Sequence, residues 1–374
     1  MAMMGFFVAL VGLALACWLY QLKEGMGVAG LNHPVGWGVY ITDFVFWVGI
    51  GHAGTLISAI LFLFRARWRN AIFRSAEAMT IFAVMTAGLF PLIHVGRAWL
   101  GWWLIPYPNQ RELWVNFRSP LLWDVFAVST YFSVSAIFFC IGLIPDIAAI
   151  RDRAKGMRRK IYTMLAVGWD SSSSQWRHYM AGYGFFAALA TPLVLSVHSV
   201  VSWDFAVSIV PGWHSTIFAP YFVAGAVFSG MAMVMTILIP FRTLFNIERY
   251  LTHWHFDMMA RLILLTGTIV GYSYLTEYFI AWYSDDMFEQ FIFWERAFGK
   301  YAIPFWLMIF CNVIAPLPLW SKRVRANLPM VFVITIFINI GMWFERFNII
   351  VSSLTQDYDP FAWGWYVPSF IEMG

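Results

Sequence analysis

LFPLIHVGRAW (residues 89–99) and SPLLWD (residues 119–124) are two apolar stretches that carry a histidine, an arginine and an aspartate. Both lie in runs apolar enough to cross a lipid bilayer. An ionisable group at that depth is costly unless it is paired or hydrated, so such groups commonly mark functional sites. His94 and Arg97 are three residues apart, which predicts that they share one helix face. A short loop then brings Asp124 back near the start of the next helix, and we predict a reactive pocket built from these three side chains.

The composition of the chain is that of a polytopic membrane protein. Of its 374 residues, 61% are hydrophobic and only 12% are charged, whereas soluble domains contain about 25% charged residues. The first apolar run lacks the basic start and the cleavage site of a secretory signal, so we interpret it as a membrane span. Cys17, Cys140 and Cys311 stand far apart and form no disulfide, haem-attachment or metal-binding pattern.

Runs of about 20 apolar residues predict nine transmembrane helices in an all-α integral membrane protein. The predicted spans are 3–22, 35–64, 75–104, 120–149, 179–203, 216–241, 256–283, 299–321 and 328–352.

A weak internal repeat predicts how these helices are grouped. FWVG (46–49) is followed by FR (64–65), and FVAG (222–225) is followed by FR (241–242), four helices later in the chain. The repeat favours two four-helix bundles, formed by spans 2–5 and 6–9, with the first helix peripheral. The alternative is chance similarity between spans rich in Gly and Phe. The corresponding domains are a first helix and outer loop (1–34), two bundles (35–203 and 204–352) and an outer interfacial tail (353–374).

The basic residues predict the orientation of the bundle. Most of them fall in one set of alternate loops, within 65–74, 150–178, 242–249 and 322–325. Cytoplasmic loops carry an excess of Lys and Arg, so we expect this set, and the N-terminus, to be cytoplasmic. The outer loop 105–118 mixes aromatic, proline and charged residues, and it fits an interfacial anchor as well as a docking surface for a partner.

With that orientation, most ionisable residues of the spans fall in the outer half of the membrane. This outer group comprises Asp43, His94, Arg97, Asp124, His198, Asp204, Glu277, Glu345 and Arg346. We therefore expect the site to open outward. A second polar set, formed by Asp43, His52, Glu77 and Glu277, has two interpretations, proton movement and helix-to-helix hydrogen bonding.

An imidazole and a carboxylate beside a guanidinium suit proton-coupled chemistry on a lipophilic ring that bears hydroxyl groups. A membrane quinol meets that description. Three alternatives stay open: a structural polar network, a haem b anchor that uses His52, His94 or His198 as axial ligands, and a proton or ion carrier without quinol chemistry.

Several motifs resemble the polysulfide-reductase-type (NrfD-like) membrane subunits. They are HVGR (94–97), RSPLLWD (118–124) and SVHSVVSWDFAVSIVPGWH (196–214). Three others, NHPVGWG (32–38), IGHAGTLISA (50–59) and AEAMTIFAVM (76–85), are more similar to the ActC quinol-binding subunit of bacterial alternative complex III.

The resemblance implies a quinol:acceptor oxidoreductase subunit of a bacterial inner membrane, with a menaquinol or ubiquinol site near the periplasmic side. It implies a pocket of His94, Asp124, Asp204 and Arg346, to which we add His198 and Arg97, and no metal, haem or iron–sulfur cluster bound by this chain. Electrons would pass to an iron–sulfur subunit and then to haem c subunits. A homologous NrfD-like membrane subunit and lipids are further expected partners, and nucleic acid is not.

Overall fold

The computed structural model describes residues 2–105, 119–356 and 358–374, and within these ranges the chain is helical with no β-strand. The α-helices are α1 (Ala2–Glu24), α2 (Val39–Thr55), α3 (Leu61–Leu63), α4 (Phe73–His94), α5 (Pro120–Arg153), α6 (Gly156–Leu165), α7 (Ser173–Ala206), α8 (Phe218–Leu244), α9 (His253–Tyr283), α10 (Met287–Phe298), α11 (Ala302–Ile309), α12 (Lys322–Ala326), α13 (Leu328–Phe347) and α14 (Phe370–Met373). This confirms the predicted all-α class. The loop expected to serve as an anchor or docking surface falls largely at 106–118, outside the described residues.

Nine helical segments of the described chain are long and apolar enough to cross a membrane, which confirms the predicted number. They are Met4–Glu24, Val39–Leu63, Phe73–His94, Pro120–Arg153, Ser173–Ala206, Phe218–Leu244, His253–Tyr283, Ala302–Trp320 and Leu328–Ser352. The predicted end of the third span is wrong, because that helix stops at His94 and not at residue 104. Gly96 follows with φ +74°, a left-handed conformation that ends helices.

The helix packing has α2 at its centre. In the first half of the chain, α2 packs against α4 and α7, and α5 packs against the same two helices. In the second half, α8 packs against α9 and α13, and α11 packs against α13. The domain boundaries at 34, 203 and 352 remain a prediction.

The two halves meet where α2 crosses α8, and small residues allow a close approach. A Cβ added at Gly230 of α8 would lie 2.4 Å from the Cβ of Ala53 and 2.9 Å from the carbonyl oxygen of Ile50. A Cβ added at Gly49 of α2 would lie 3.7 Å from the Cα of Ala226. This contact places the long polar side chains of both halves around one shared interior.

The C-terminal segment folds back onto the start of α2. Ser369 donates to the carbonyl of Val28 at 2.7 Å, and Asn32 donates to the carbonyl of Trp365 at 2.9 Å. Tyr366 is 1% exposed and packs in a small apolar cluster with Val39. The segment thereby closes the end of the helix that leads into the candidate site.

Candidate functional site

An apolar cleft of about 270 Å³ opens at the cation-poor end of the first half, between α2, α4, α5 and α7. Its polar wall contains His94, Asp124 and Asp204. The rest of the wall is mostly apolar and consists of Trp37, Ile41, Phe44, Gly88, Pro91, Val95, Leu104, Leu121, Val125, Val128 and Ser129. The structure therefore brings together three of the residues that the sequence assigned to one pocket.

Asp124 and Asp204 reach the cleft from opposite ends of neighbouring helices. Asp124 lies in the second turn of α5 and Asp204 near the end of α7. Their carboxyl groups are within hydrogen-bonding reach of each other. No N–H or O–H group of the described residues donates to either oxygen of Asp124. Two carboxyl groups this close can be held together by one shared proton.

His94 is the last residue of α4, and its half-buried ring faces the same cleft. Its Nδ1 has no hydrogen-bond partner among the described residues. The ring lies edge-on to Tyr40, with 6.5 Å between centroids. An unpaired imidazole nitrogen beside an apolar cleft can accept a proton from a bound hydroxyl group.

Gln21, a residue that the sequence did not single out, fixes this end of α4. It accepts a hydrogen bond from the Tyr40 hydroxyl, and its Nε2 donates to the carbonyl of Ile93 at 3.1 Å. Gln21 is buried although it lies on the peripheral helix α1. The only signal for Gln21 in the sequence was a polar amide side chain close to the end of a predicted span.

Arg97 does not share a helix face with His94, so that prediction is wrong. The helix ends at His94, and Arg97 follows the turn at Gly96 with its side chain exposed. It is not part of the cleft wall. Residues that are three apart share a helix face only if the helix includes both of them.

Arg346 is also outside the cleft wall and belongs to a buried cluster in the second half. Its guanidinium pairs with Glu345 at 3.0 Å and lies 4.1 Å from the centroid of the Phe222 ring. The Tyr274 hydroxyl donates to Glu345, and Asn312 donates to the Tyr274 oxygen at 2.8 Å. Arg346 therefore neutralises a carboxylate of its own helix.

Aromatic rings separate this cluster from the cleft. Phe222 is 5.7 Å from Phe205, and Phe205 is 6.0 Å from Trp37, which lines the cleft. A ligand in the cleft would meet this aromatic wall before it met Arg346.

His198 and His52 form a contact pair in the middle of the membrane-spanning region. Both are buried, and their ring centroids are 4.6 Å apart. His52 stacks on Tyr131 at 5.0 Å, while neither ring nitrogen of His198 has a partner among the described residues. The two rings touch, which leaves no space for an iron porphyrin between them.

The four residues of the second polar set occupy separate places. Asp43 accepts a hydrogen bond from the Trp343 indole at 2.6 Å, between α2 and α13. Glu77 pairs with Arg74 at 3.0 Å at the cation-rich end of α4. Glu277 is buried in α9, in the second half of the chain. The structure does not gather this set into one cluster.

Hydroxyl groups that the sequence analysis missed surround the buried ionisable residues of the first half. Tyr131 shares a hydrogen bond with Thr55 at 2.8 Å, and Tyr183 donates to Glu77 at 2.8 Å. Tyr, Thr and Ser are common in apolar spans, so their positions alone gave no signal. Among the described residues, no group of three or more His, Cys, Asp or Glu side chains is placed to hold a metal ion.

Comparison with known proteins gives one family and three relatives. The family profile "Polysulphide reductase, NrfD" matches residues 27–358. The chain is 28% identical over 238 residues to a putative dimethyl sulfoxide reductase membrane subunit of Halobacterium salinarum, covering 63% of this chain and 50% of the relative. It is 23% identical over 239 residues to a selenate reductase subunit of Mesobacillus selenatarsenatis, covering 61% and 53%. It is 22% identical over 310 residues to the Hdr-like menaquinol oxidoreductase integral membrane subunit of Archaeoglobus fulgidus, covering 81% and 67%.

The chain thus spans about half the length of the first two relatives. The profile match, in contrast, covers most of the chain and includes His94, Asp124 and Asp204.

Proposed function

The chain belongs to the polysulphide reductase NrfD family, and from this premise we propose that it is the quinol-binding membrane subunit of a respiratory oxidoreductase. One observation carries the proposal: an imidazole whose Nδ1 has no partner among the described residues and two neighbouring carboxyl groups face one apolar cleft. A quinol headgroup is an apolar ring with two hydroxyl groups, and its oxidation releases two protons and two electrons. The cleft supplies apolar contacts for the ring and proton acceptors for the hydroxyl groups.

The roles of the three polar residues follow from their positions. His94 Nδ1 accepts the proton of one hydroxyl group, and the Asp124–Asp204 pair accepts the proton of the other. Since the pair already holds one proton, arrival of another displaces a proton toward the open end of the cleft. The apolar wall excludes water from the ring and orients it.

Imidazole and carboxyl groups accept protons but not electrons. In this proposal the two electrons of the quinol therefore pass to a partner protein. The relatives are named as subunits of a dimethyl sulfoxide reductase, a selenate reductase and a menaquinol oxidoreductase. From these names we infer an iron–sulfur partner subunit, and we place it at the end of the helices where the cleft opens. Haem c subunits, a second NrfD-like membrane subunit and the particular likeness to ActC of alternative complex III belong to the same proposal.

The loop charges support a periplasmic position for the cleft. The basic loops lie at the opposite end of the helices, and such loops are cytoplasmic as a rule. We place the N-terminus in the cytoplasm, the protein in a bacterial inner membrane and the released protons on the outer side.

Proton movement through the first half is a second proposal, supported by a separate observation. His198, His52 and Tyr131 are buried and in ring contact below the cleft, and Glu77 is hydrogen-bonded to Tyr183 nearer the opposite end. Buried titratable groups in such positions are typical of proton relays.

Gly88 offers a direct test of quinol binding. It lines the cleft, and a Cβ added there would meet nothing within 4 Å, so Gly88→Leu should fold normally and occupy space needed by the ring. We expect the KM for quinol to rise about tenfold or more, as for a misfit of a few methylene groups in a binding pocket, when the purified complex reduces an artificial acceptor.

Gly182 provides the matched control. A Cβ at Gly182 of α7 also meets nothing within 4 Å, but this residue lies outside the cleft wall, so Gly182→Leu should keep the parental KM. A parental KM in Gly88→Leu would overturn the assignment of the cleft.

A further inference from the structure

A cleft of about 740 Å³ lies at the cation-rich end of the second half, far from the candidate quinol site. It opens where α8 ends and where α9 and α13 begin. Membrane headgroups lie at this depth, since the helices leave the hydrocarbon region there.

One side of this cleft is basic. Arg242, Arg323 and His253 line it, and none of its lining residues is acidic. Arg242 Nε donates to the carbonyl of Leu251 at 2.7 Å, which holds the guanidinium at the rim. Arg323 is exposed and makes no hydrogen bond or ion pair with the described residues. Guanidinium groups bind phosphate well, and one of these two is not engaged by another side chain of the described residues.

The carboxylate of Asp257 does not cancel the charge of this wall. Asp257 lies one turn after His253 in α9, but Arg325 and Arg261 bind it at 2.6 Å and 2.7 Å. The first turns of α9 and α13 also point their positive dipole ends at the cleft. The last turn of α8 has the opposite sign, and Arg242 lies within that turn.

The other side of the cleft is apolar. Ile239, Leu328 and Phe332 line it, and Ile239 and Phe332 lie about one turn inside the ends of α8 and α13. A soluble anion gains nothing from apolar contacts, whereas the acyl chains of a phospholipid need an apolar surface beneath the phosphate group.

We propose that this cleft binds an anionic glycerophospholipid, with its phosphate between Arg242 and Arg323 and its acyl chains against Leu328 and Phe332. The charge of the rim selects an anionic headgroup over a zwitterionic one. The apolar wall selects the lipid over a soluble phosphate. The occupant also ties the ends of α8, α9 and α13 together.

Native mass spectrometry of the full chain in detergent tests this proposal. Phosphatidylglycerol and phosphatidylethanolamine with the same acyl chains are titrated in parallel, and we expect tighter binding of phosphatidylglycerol. Arg323→Gln should weaken that binding about tenfold, since a charge-assisted hydrogen bond is lost. Because Arg323 has no partner in the described structure, this variant should fold even if Arg242→Gln does not.

Arg158→Gln/Arg159→Gln is the matched control, since it removes two exposed cations of α6 from the same end of the protein. The control variant should bind phosphatidylglycerol as tightly as the parent does. The parent should bind short-chain dihexanoyl phosphatidylglycerol more weakly than the long-chain lipid. Equal loss in the control, or equal affinity for the two headgroups, would overturn the proposal. Displacement of the lipid by millimolar inorganic phosphate in an Arg323-dependent manner would assign the cleft to a free anion instead. None of these measurements depends on quinol turnover.

Discussion

At the residue scale, the acid and base groups of the candidate site make few polar contacts with the rest of the described chain. Asp124 is 5% exposed, yet its oxygens receive no N–H donor from the described chain. A carboxyl group kept only for structure would be satisfied by backbone or side-chain donors, because an unpaired buried polar group is costly. The companion carboxyl of Asp204 and the free Nδ1 of His94 thus support the proposal that the cleft binds a ligand with hydroxyl groups.

Asp124→Asn tests the role of the carboxyl pair. The amide keeps the size of the side chain but cannot share a proton with Asp204, so quinol turnover should fall by about two to four orders of magnitude. Assembly should survive, since an amide is no harder to bury than a carboxylate. The measurement is quinol:acceptor activity of the purified complex, with its assembly checked on a native gel.

Arg97→Gln is the control for that experiment, because Arg97 is exposed and outside the cleft wall. It should assemble and turn over like the parent. If Asp124→Asn kept parental activity, or if Arg97→Gln lost as much as Asp124→Asn, the proton-accepting pair would be misassigned.

The sequence predicted that His94 and Asp124 lie near each other, but it failed for Arg97, which follows a turn of the backbone. Depth in the membrane grouped Asp124 with His94, and the family resemblance added Asp204; the structure places all three in the wall of one cleft. Arg97 lies beyond a left-handed glycine that spacing alone does not reveal. Arg346 was assigned through family likeness, but its neighbour Glu345 supplies a closer partner. Tertiary packing decides which ionisable side chains pair with each other, and the sequence alone does not show that pairing.

At the element scale, three π-helical turns of the described residues contain buried polar side chains. They are Leu56–Ile60 after α2, Phe310–Ile314 after α11 and Asn348–Ser352 after α13. The second contains Asn312, which donates to Tyr274, and the third contains Ser352, which accepts from Arg296 at 2.9 Å. An extra residue in a helical turn redirects side chains and frees carbonyl groups. Hydropathy predicted the spans, but such local changes in helical period have no signal in apolar composition.

The histidine pair within α2 and α7 leads to a prediction about protons. If His52 relays protons, His52→Leu should lower the number of protons moved per electron while the KM for quinol stays parental, because His52 is not part of the cleft wall. Proteoliposomes with a pH-sensitive dye would report the ratio. An unchanged ratio would leave helix-to-helix packing as the explanation for this residue.

The C-terminal helix α14 docks through a carboxyl group that responds to pH. Glu372 accepts hydrogen bonds from the Tyr366 hydroxyl at 2.5 Å and from the Val39 amide at 3.1 Å. Burial raises the pKa of Glu372 from 4.5 to about 7, against the opposing effect of these two donors. The docked state therefore binds a proton that the undocked state releases between pH 4.5 and 7. Docking weakens as pH rises through this window and is constant above it.

Hydrogen exchange of the segment 366–374, corrected for intrinsic rates, measures this effect. Protection should fall about tenfold or more between pH 5 and pH 8, since one pKa unit corresponds to about 1.4 kcal/mol. In Glu372→Gln the protection should not vary with pH over this range. Greater protection at pH 8 in the parent would contradict the assigned sign.

At the scale of the whole molecule, the two proposed binding sites lie at opposite ends of the helices. The acid and base groups open at the cation-poor end, and the basic cleft between Arg242 and Arg323 opens at the other. Composition and loop charges predicted this polarity because both depend on residue counts over long windows. The way in which the halves join could not be predicted, since any of the many glycines could have formed the contact.

Gly230 is where that joining is most sensitive. An added Cβ would lie 2.4 Å from Ala53 and 2.9 Å from the carbonyl oxygen of Ile50, so Gly230→Ala must push α8 away from α2. Overpacking of this kind costs about 1–3 kcal/mol, and the loss should appear as a lower thermal unfolding temperature of the purified protein. His198 and His52 lie on the helices that flank this contact, so the proton-to-electron ratio should fall as well. Gly182→Ala, where the added methyl group meets nothing within 4 Å, should be neutral or slightly stabilising because alanine favours the helix. Equal unfolding temperatures for the two variants would mean that the α2–α8 contact does not hold the halves together.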